Sequence, residues 1–482
     1  MAKLQPLGVC KNSKREILIK NFADLANFLI ETDIIDNKYP VKGCYIWLPY
    51  GVAIRERMVG LFKKPLQERN YEEYLFPRLM HKDFLRGLGK IIKSPEKGLF
   101  WVSDTSKSKK ELFLYPTGEA AIYNYFKKKI TSFQDLPVNL FQVSSIFRPT
   151  KDTSIIINGA ESDTLLEVHT AHATEKESLR AFEESQQIMR EYYAAMLLPV
   201  ISVKRPLWGN KPVSETTISY EMYLPVKNRS FSPSVTYHQS QVFSRAFEIK
   251  FRTESGGVDY TYQNTYGIAE RVLAAVFLIH LDEDGLRLPP LLAPFQVVII
   301  PYFDKNNEGA IMKVCGELKE RLSEYRPFVD SKKTTPCKRI YSWRKKGVPL
   351  CITVDSKSMS NGNITVSRRD ARKKEIIPFE NAAGWCKNSL EAYSAAIYCD
   401  AKKYMGEKMC AVKGIDELAE VISQRKLGRF SWCCEKECGL AIEEKVVGEI
   451  LGEIQGESPE VNCFCGKPAK AVVLYGRRCT SP

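Results

Sequence analysis

DGLRLPPLLAPFQVVIIP, residues 284–301, divides the chain in two. The pair Pro289-Pro290 stops whatever element precedes it and restricts the residue before it, and the apolar run from Phe295 to Pro301 then starts a buried strand. We place a domain boundary at residue 290. Downstream, strand-like and helix-like segments alternate: FQVVIIP, a stretch that puts Ile311, Val314, Cys315, Leu318 and Leu322 on one helical face, then VPLCITVD and NITVS. Such alternation predicts a small α/β domain over residues 291–400 with a largely parallel sheet. Its loops collect Lys332, Lys333, Lys338, Arg339, Arg344 to Lys346, Arg368, Arg369 and Arg372 to Lys374. One charge run is usually a solvated face, but several in one domain of a basic protein point to nucleic acid.

Upstream, residues 1–290 mix aromatic, antiparallel-looking strands with a few long helices, an α+β pattern. One helix is predicted from 175 to 197. Thr174 and Glu177 form a reciprocal cap ahead of a stripe of Leu179, Phe182, Met189, Tyr193 and Met196. A second helix, from Gly267 to about Leu281, is apolar on nearly every side and is expected to be buried against the sheet.

Lys plus Arg outnumber Asp plus Glu by 71 to 57, a formal charge of +14 that attracts polyanions. The first residues, MAKLQPLGVCKNSKREILIKNF, have no apolar core ahead of small residues, and no stretch approaches the roughly 18 unbroken apolar residues of a membrane span. The expectation is a cytoplasmic protein with reduced cysteines. Six of its 14 cysteines follow residue 430. Among them Cys433, Cys438, Cys463 and Cys465 supply the four thiolates of a structural zinc site, with Cys434 as a possible substitute ligand; metal-free thiols are the bland alternative.

Seven segments in one order resemble the prolyl-tRNA synthetases of the archaeal and eukaryotic cytosolic kind: KYPVKGCYIWLPYG (38–51), LYPTGEAAIY (114–123), FRPT (147–150), EVHTAHAT (167–174), FSRAFEIKF (243–251), YQNTYGIAER (262–271) and residues 284–301. The resemblance implies an antiparallel class II catalytic domain over 1–290, an α/β anticodon-binding domain over 291–400 and a small α+β zinc-binding domain over 401–482. It also implies a homodimer that uses proline, ATP, Mg²⁺ and tRNA, with structural Zn²⁺. In this family the amino-acid carboxylate attacks the α-phosphate of ATP and the adenylate then acylates tRNA, so the protein's task is alignment and charge neutralisation.

By the same resemblance Arg148 and Arg271 are the phosphate-binding arginines of the second and third signature motifs. Thr117 and Glu119 hold the imino nitrogen of proline, Glu167 and His169 belong to the proline pocket, and Gln241 contacts ATP. Read without the family, Arg271 would instead be half of an internal ion pair, and Thr117 would be a helix cap for AAIYNYF.

The departures fall in the same region. Thr150 stands where the family has an adenine-gripping glutamate, and PTKDTSIIINGA (149–160) has Lys151 as its only cation and no arginine. In SFSPSVTYHQSQVF (230–243) serines replace glycines and Tyr237 occupies the place of a histidine. Two readings stay open here: a diverged proline-activating enzyme, or a paralogue that binds tRNA without catalysis or activates another small amino acid.

Overall fold

A computed structural model of the chain describes residues 19–103, 111–150, 153–209, 213–304 and 307–479. It forms two compact units: one from residues 33–194, 200–275 and 407–482, the other from residues up to 32, 195–199 and 276–406.

The first unit is built on six strands, β1 Val138–Phe147, β2 Glu161–His172, β3 Ile201–Lys204, β4 Thr216–Leu224, β5 Val235–Ser240 and β6 Tyr262–Ala269. They lie in the order β3-β4-β5-β6-β2-β1, every neighbouring pair antiparallel. The helices that matter for function are α1 Pro49–Gln67, α2 Glu119–Lys129, α3 Glu175–Ala195 and α4 Arg271–Ile279. The cap of α3 forms as the sequence predicts: the Thr174 N–H donates to Glu177 Oε2 at 3.2 Å and the Glu177 N–H to Thr174 Oγ1 at 3.2 Å. Leu179, however, is 42% exposed. The helical period puts Ser178, not Leu179, on the buried line with Phe182 and Ser185.

The second predicted helix is shorter at its start than expected. Residues 262–269 are the strand β6, paired with β2 from Tyr262↔His172 to Ala269↔Leu165. Gly267 makes that close pairing possible, since a Cβ there would lie 2.2 Å from the Leu166 carbonyl oxygen. Val272 to Ile279 are no more than 3% exposed, as an apolar circumference requires.

In the second unit the elements are β7 Val297–Pro301, α5 Glu308–Arg321, β8 Pro327–Val329, α6 Pro336–Lys346, β9 Leu350–Val354, β10 Asn363–Arg368, β11 Lys374–Pro378 and α7 Ala382–Glu407. The expected face of α5 is buried: Ile311, Cys315, Leu318 and Leu322 are fully inaccessible. The sheet order is β8-β7-β9-β10-β11, but only β7–β8 and β7–β9 are parallel. Residues 355–362 and 369–373 are too short to carry a crossover, so β10 and β11 return antiparallel. The sequence reading took the basic run around Lys374 for a loop, and it is an edge strand.

The chain then returns to the first unit with β12 Met409–Ala411, α8 Ile415–Ser423, β13 Leu427–Trp432, α9 Lys436–Lys445, β14 Glu449–Ile454 and β15 Ala471–Gly476. β14 pairs antiparallel with β3, so these four strands extend the main sheet, which reaches twelve with the short strands Glu72–Glu73 and Arg229–Phe231.

Candidate active site

Four of these strands, β1, β2, β5 and β6, and the starts of two helices line a cavity of about 300 Å³. Its floor begins at the loop before α2. Gly118 is the residue preceding the helix and offers no side-chain cap. Thr117 is therefore not the cap that its sequence position predicts; its hydroxyl donates to the Glu119 carboxylate, and both side chains line the cavity. A layer beneath holds the loop. Glu167 Oε2 accepts the Gly118 N–H at 3.0 Å, and a Cβ at 118 would sit 2.3 Å from that oxygen. Glu167 Oε1 accepts from Tyr115 Oη at 2.8 Å and from Gln142 Nε2 at 2.7 Å, while His169 Nε2 lies 3.3 Å from Oε2. Burial pushes the Glu167 carboxyl up, but the hydrogen bond and charge of His169, with Tyr115 and Gln142, outweigh it and hold the group below the usual range.

Glu167 still touches the cavity wall. His169 does not: it is fully buried, with Nδ1 3.1 Å from Tyr123 Oη. These two residues brace the loop that presents Thr117 and Glu119.

Arg148 emerges at the end of β1, where its N–H donates to the Ala160 carbonyl at 2.9 Å and its Nε to the Pro116 carbonyl at 2.8 Å. Arg271 is the first residue of α4, with its guanidinium 5.3 Å from the centroid of the Phe231 ring. Both line the cavity. Among the described residues neither has a carboxylate partner, so the internal ion pair expected for an unassisted Arg271 is not formed. Burial lowers the Arg271 pKa and the like charge of Arg148 lowers it further, against opposing contributions from Cys479, Tyr193 and Tyr237. Two unneutralised guanidiniums, one at a strand end and one at a helix start, make a place for a polyanion.

The other walls carry the departures. Ile156, Ile157, Asn158 and Gly159 form one side, and Asn158 Nδ2 donates to Thr150 Oγ1 at 2.9 Å. Lys151 lies outside the described residues. Opposite are Ser232 to Val235 and Tyr237, whose hydroxyl burial pushes up. Gln241 does not line the cavity. Its amide donates to the Tyr260 carbonyl at 2.9 Å and to Asp259 at 3.3 Å, and accepts from Arg245 at 2.5 Å.

Sequence reasoning passed over Glu270. It is 3% exposed, yet it reaches both the cavity and a small adjoining cleft shared with Glu161 and Asp163. Tyr45 Oη donates to it at 2.7 Å and the Asp163 N–H at 2.9 Å. Burial raises its pKa to about 7, with Tyr45 opposing and Asp163 assisting. A carboxylate directly before an apolar helix was the available signal. Phe231 gave none, because aromatics in strands are ordinarily core, whereas Tyr237 was visible only as a departure from the family.

In the C-terminal region the four predicted cysteines converge, their sulfurs all within 4.8 Å of one another. Cys438 Sγ is 3.6 Å from Cys463 Sγ, and Cys465 Sγ is 3.8 Å from Cys433 Sγ. Zinc–sulfur bonds of about 2.3 Å give a tetrahedron with edges of about 3.8 Å, so the thiols fit that ion. The Cys-x-Cys spacing is accommodated by a turn in which the Gly466 N–H donates to the Cys463 carbonyl at 2.8 Å. Cys434 is not part of the group; at φ 63° its side chain is directed to the Trp432 carbonyl.

The basic loops of the second unit divide into two classes. Arg339 and Arg369 are 3% exposed: the first donates to the Asp330 and Pro301 carbonyls, the second clasps Asp282. Arg344 pairs with Asp284 at 2.9 Å, Arg368 with Asp370 at 2.5 Å, Lys345 with Glu31 at 2.6 Å, and Arg372 with Glu283. These hold the unit together and are not an open cationic face as the sequence predicts. Lys332, Lys333, Lys338, Lys373 and Lys374 are exposed and carry no ion pair among the described residues.

Comparison with known proteins adds three family matches: residues 100–280 to the class II tRNA synthetase core domain (G, H, P, S and T), 296–389 to an anticodon binding domain, and 415–478 to the prolyl-tRNA synthetase C-terminal domain. The proline–tRNA ligase of Methanothermobacter thermautotrophicus is 33% identical over 92% of both chains, and that of Methanopyrus kandleri 33% over 94% of both. A solved structure of Giardia lamblia prolyl-tRNA synthetase in complex with prolyl-adenylate superposes with a TM-score of 0.88 at 28% identity, covering 96% of this chain and 99% of that one.

Proposed function

The chain belongs to the prolyl-tRNA synthetases, and from that membership we infer that it ligates proline to tRNA in two steps within the cavity described above. The proline carboxylate attacks the α-phosphate of ATP and pyrophosphate leaves; a hydroxyl of the terminal tRNA ribose then attacks the prolyl carbonyl of the adenylate, and AMP leaves. The observation that carries this reading is the pair Arg148 and Arg271, both facing one cavity without a carboxylate to neutralise them. Charge growing on the phosphate relieves their repulsion, so they bind the transition state better than the empty site. Glu119, steadied by Thr117, takes the cationic imino nitrogen of proline. Glu167 and His169 act by holding that loop.

Glu161, Asp163 and Glu270, which line one small cleft beside the cavity, are the carboxylates available to a Mg²⁺ accompanying ATP. Burial first, then the neighbouring Asp163, raises both Glu161 and Glu270, as expected of carboxylates short of a cation, and Arg55 reaches only Asp163 at 3.3 Å. The ion would offset phosphate charge on the leaving pyrophosphate. Zinc at Cys433, Cys438, Cys463 and Cys465, tRNA contact through the exposed lysines of the second unit, a homodimer and a cytoplasmic location belong to the same reading. The last two rest on family membership alone.

A second reading, a tRNA-binding module without catalysis, is favoured by Thr150 and the arginine-free 149–160 segment. ATP–pyrophosphate exchange measured with each amino acid decides. Proline-dependent exchange is expected. Inert wild type that still binds tRNA would overturn the enzyme, and exchange with another amino acid that Glu119→Gln abolishes would overturn proline.

A further inference from the structure

His238 stands beside Tyr237 on β5 and so presents its ring to the opposite sheet face, where α3 packs and Phe182 lies 5.5 Å from it. Its Nδ1 is 2.8 Å from Asn264 Oδ1. The Asn264 amide nitrogen donates to the Ser178 carbonyl at 2.8 Å and to Thr170 Oγ1 at 3.3 Å. That fixes Oδ1 as the acceptor and puts a hydrogen on Nδ1, so that in the neutral ring the lone pair is on Nε2. Nε2 is buried and has no hydrogen-bond partner, in a residue only 3% exposed. A buried acceptor left in that state is costly unless something occupies it.

A ring nitrogen of His238 and one carboxylate oxygen each from Glu175 and Glu215 lie within 4.8 Å of one another. Glu215 is fixed there by its own N–H, which donates to the His238 carbonyl at 3.0 Å. Glu175 opens α3, and because Glu177 is used in the cap, the Glu175 carboxylate is left over. Among the described residues neither Glu175 nor Glu215 takes part in an ion pair.

We propose that His238, Glu175 and Glu215 form a binding site for a divalent cation of the zinc class, with His238 Nε2, Glu175 and Glu215 as its protein ligands. One imidazole and two carboxylates are a nitrogen–oxygen donor set suited to first-row ions and less so to Mg²⁺. The hydrogen bond from Nδ1 to Asn264 is the orienting contact that ligating imidazoles use. The site lies on the sheet face away from the cavity, uses none of the four clustered cysteines, and ties the start of α3 to the strand that carries Tyr237.

The test is a titration of full-length protein, its cysteine site first filled with one equivalent of zinc, with Co²⁺ alone, followed by calorimetry and visible absorption. The expected result is one further saturable equivalent whose spectrum has ligand-field bands but no thiolate charge-transfer band. Glu175→Gln and Glu215→Gln, at exposed positions where the fold is not at stake, each weaken it at least ten-fold, and His238→Gln abolishes it. Absence of that equivalent in wild type overturns the proposal. So does its persistence, with unchanged affinity, in the Glu175→Gln, Glu215→Gln double variant.

Discussion

Replacing Arg271 with alanine separates two roles that a buried arginine can have. In an internal ion pair, its removal would strand a buried carboxylate and cost about 3–5 kcal/mol of stability. Here no carboxylate faces it among the described residues, and both burial and Arg148 disfavour its charge. Besides weak support from Cys479, Tyr193 and Tyr237, its favourable contact among the described residues is the Phe231 ring at 5.3 Å, a cation–π arrangement that contributes about 1–2 kcal/mol at a desolvated site. Relief from burial and from Arg148 offsets that loss, so Arg271→Ala is expected to change unfolding stability by no more than about 1 kcal/mol. Activity should behave oppositely. A preorganised group aimed at developing charge supplies about 3–5 kcal/mol, which is roughly two to four orders of magnitude in rate. The paired assay is ATP–pyrophosphate exchange with proline, alongside urea unfolding, on wild type, Arg271→Ala and the volume-preserving Arg271→Met. Arg148→Ala should give a loss of similar size, and because both would share the charge of one triphosphate the double variant should lose less than the sum. A variant that loses about 3 kcal/mol or more of stability while exchanging within ten-fold of wild type would refute the reasoning.

Glu119→Gln should raise the KM for proline far more than it lowers kcat, because it removes a contact present in both ground and transition state; an unchanged KM would remove Glu119 from the proline site. Metal analysis of protein purified without chelator should find about one zinc held by the four cysteines, and Cys438→Ser should release it; a folded, zinc-free wild type would reject the site. Changing Lys332, Lys333 and Lys338 together to alanine should flatten the salt dependence of tRNA binding by about 2 units of log–log slope, and an unaltered slope would move the contact elsewhere. Glu270 binds its proton more tightly folded, at about 7 against an ordinary 4.5. Stability is therefore lost as pH rises through that window, by about 3 kcal/mol in all. Glu270→Gln should abolish the slope and be more stable than wild type at pH 8; parallel pH profiles would show that Glu270 is ionised at neutral pH.

The scaffold was legible wherever a local rule had no competitor. The Thr174–Glu177 cap and the face of α5 need only neighbours in sequence, and both formed. Gly267 shows the limit: an apolar run extended the helix back across it, whereas eight residues of pairing with β2 claimed it for a strand. Thr117 shows another, since a nearby carboxylate competed for the hydroxyl that would have capped α2. The cationic loops were misjudged for a related reason. Sequence counts charges but does not show which arginines face inward, and Arg339 and Arg369 serve carbonyls and Asp282 inside the fold. Residues supplied from distant strands, such as Glu270, Tyr237 and His238, acquire meaning only when the sheet assembles them.

The same sheet explains why the active centre could lose one contact and keep another. A carboxylate at position 150 would grip adenine, which does not change during the reaction, and such uniform binding affects KM for ATP without affecting kcat. Thr150, which accepts a hydrogen bond from Asn158, is expected to lack that grip. In the function proposed above Arg148 and Arg271 act where charge develops, so losing either one is expected to act on the chemical step itself. Substitution at 150 is thus tolerable wherever cellular ATP exceeds a raised KM, while substitution at 148 or 271 is not. In exchange assays this means a raised KM for ATP with kcat preserved. A Thr150→Glu variant should lower that KM and leave kcat in place. If it instead raised kcat ten-fold or more, residue 150 would belong to the chemical step, and the division of labour drawn here between adenine and phosphate contacts would fail.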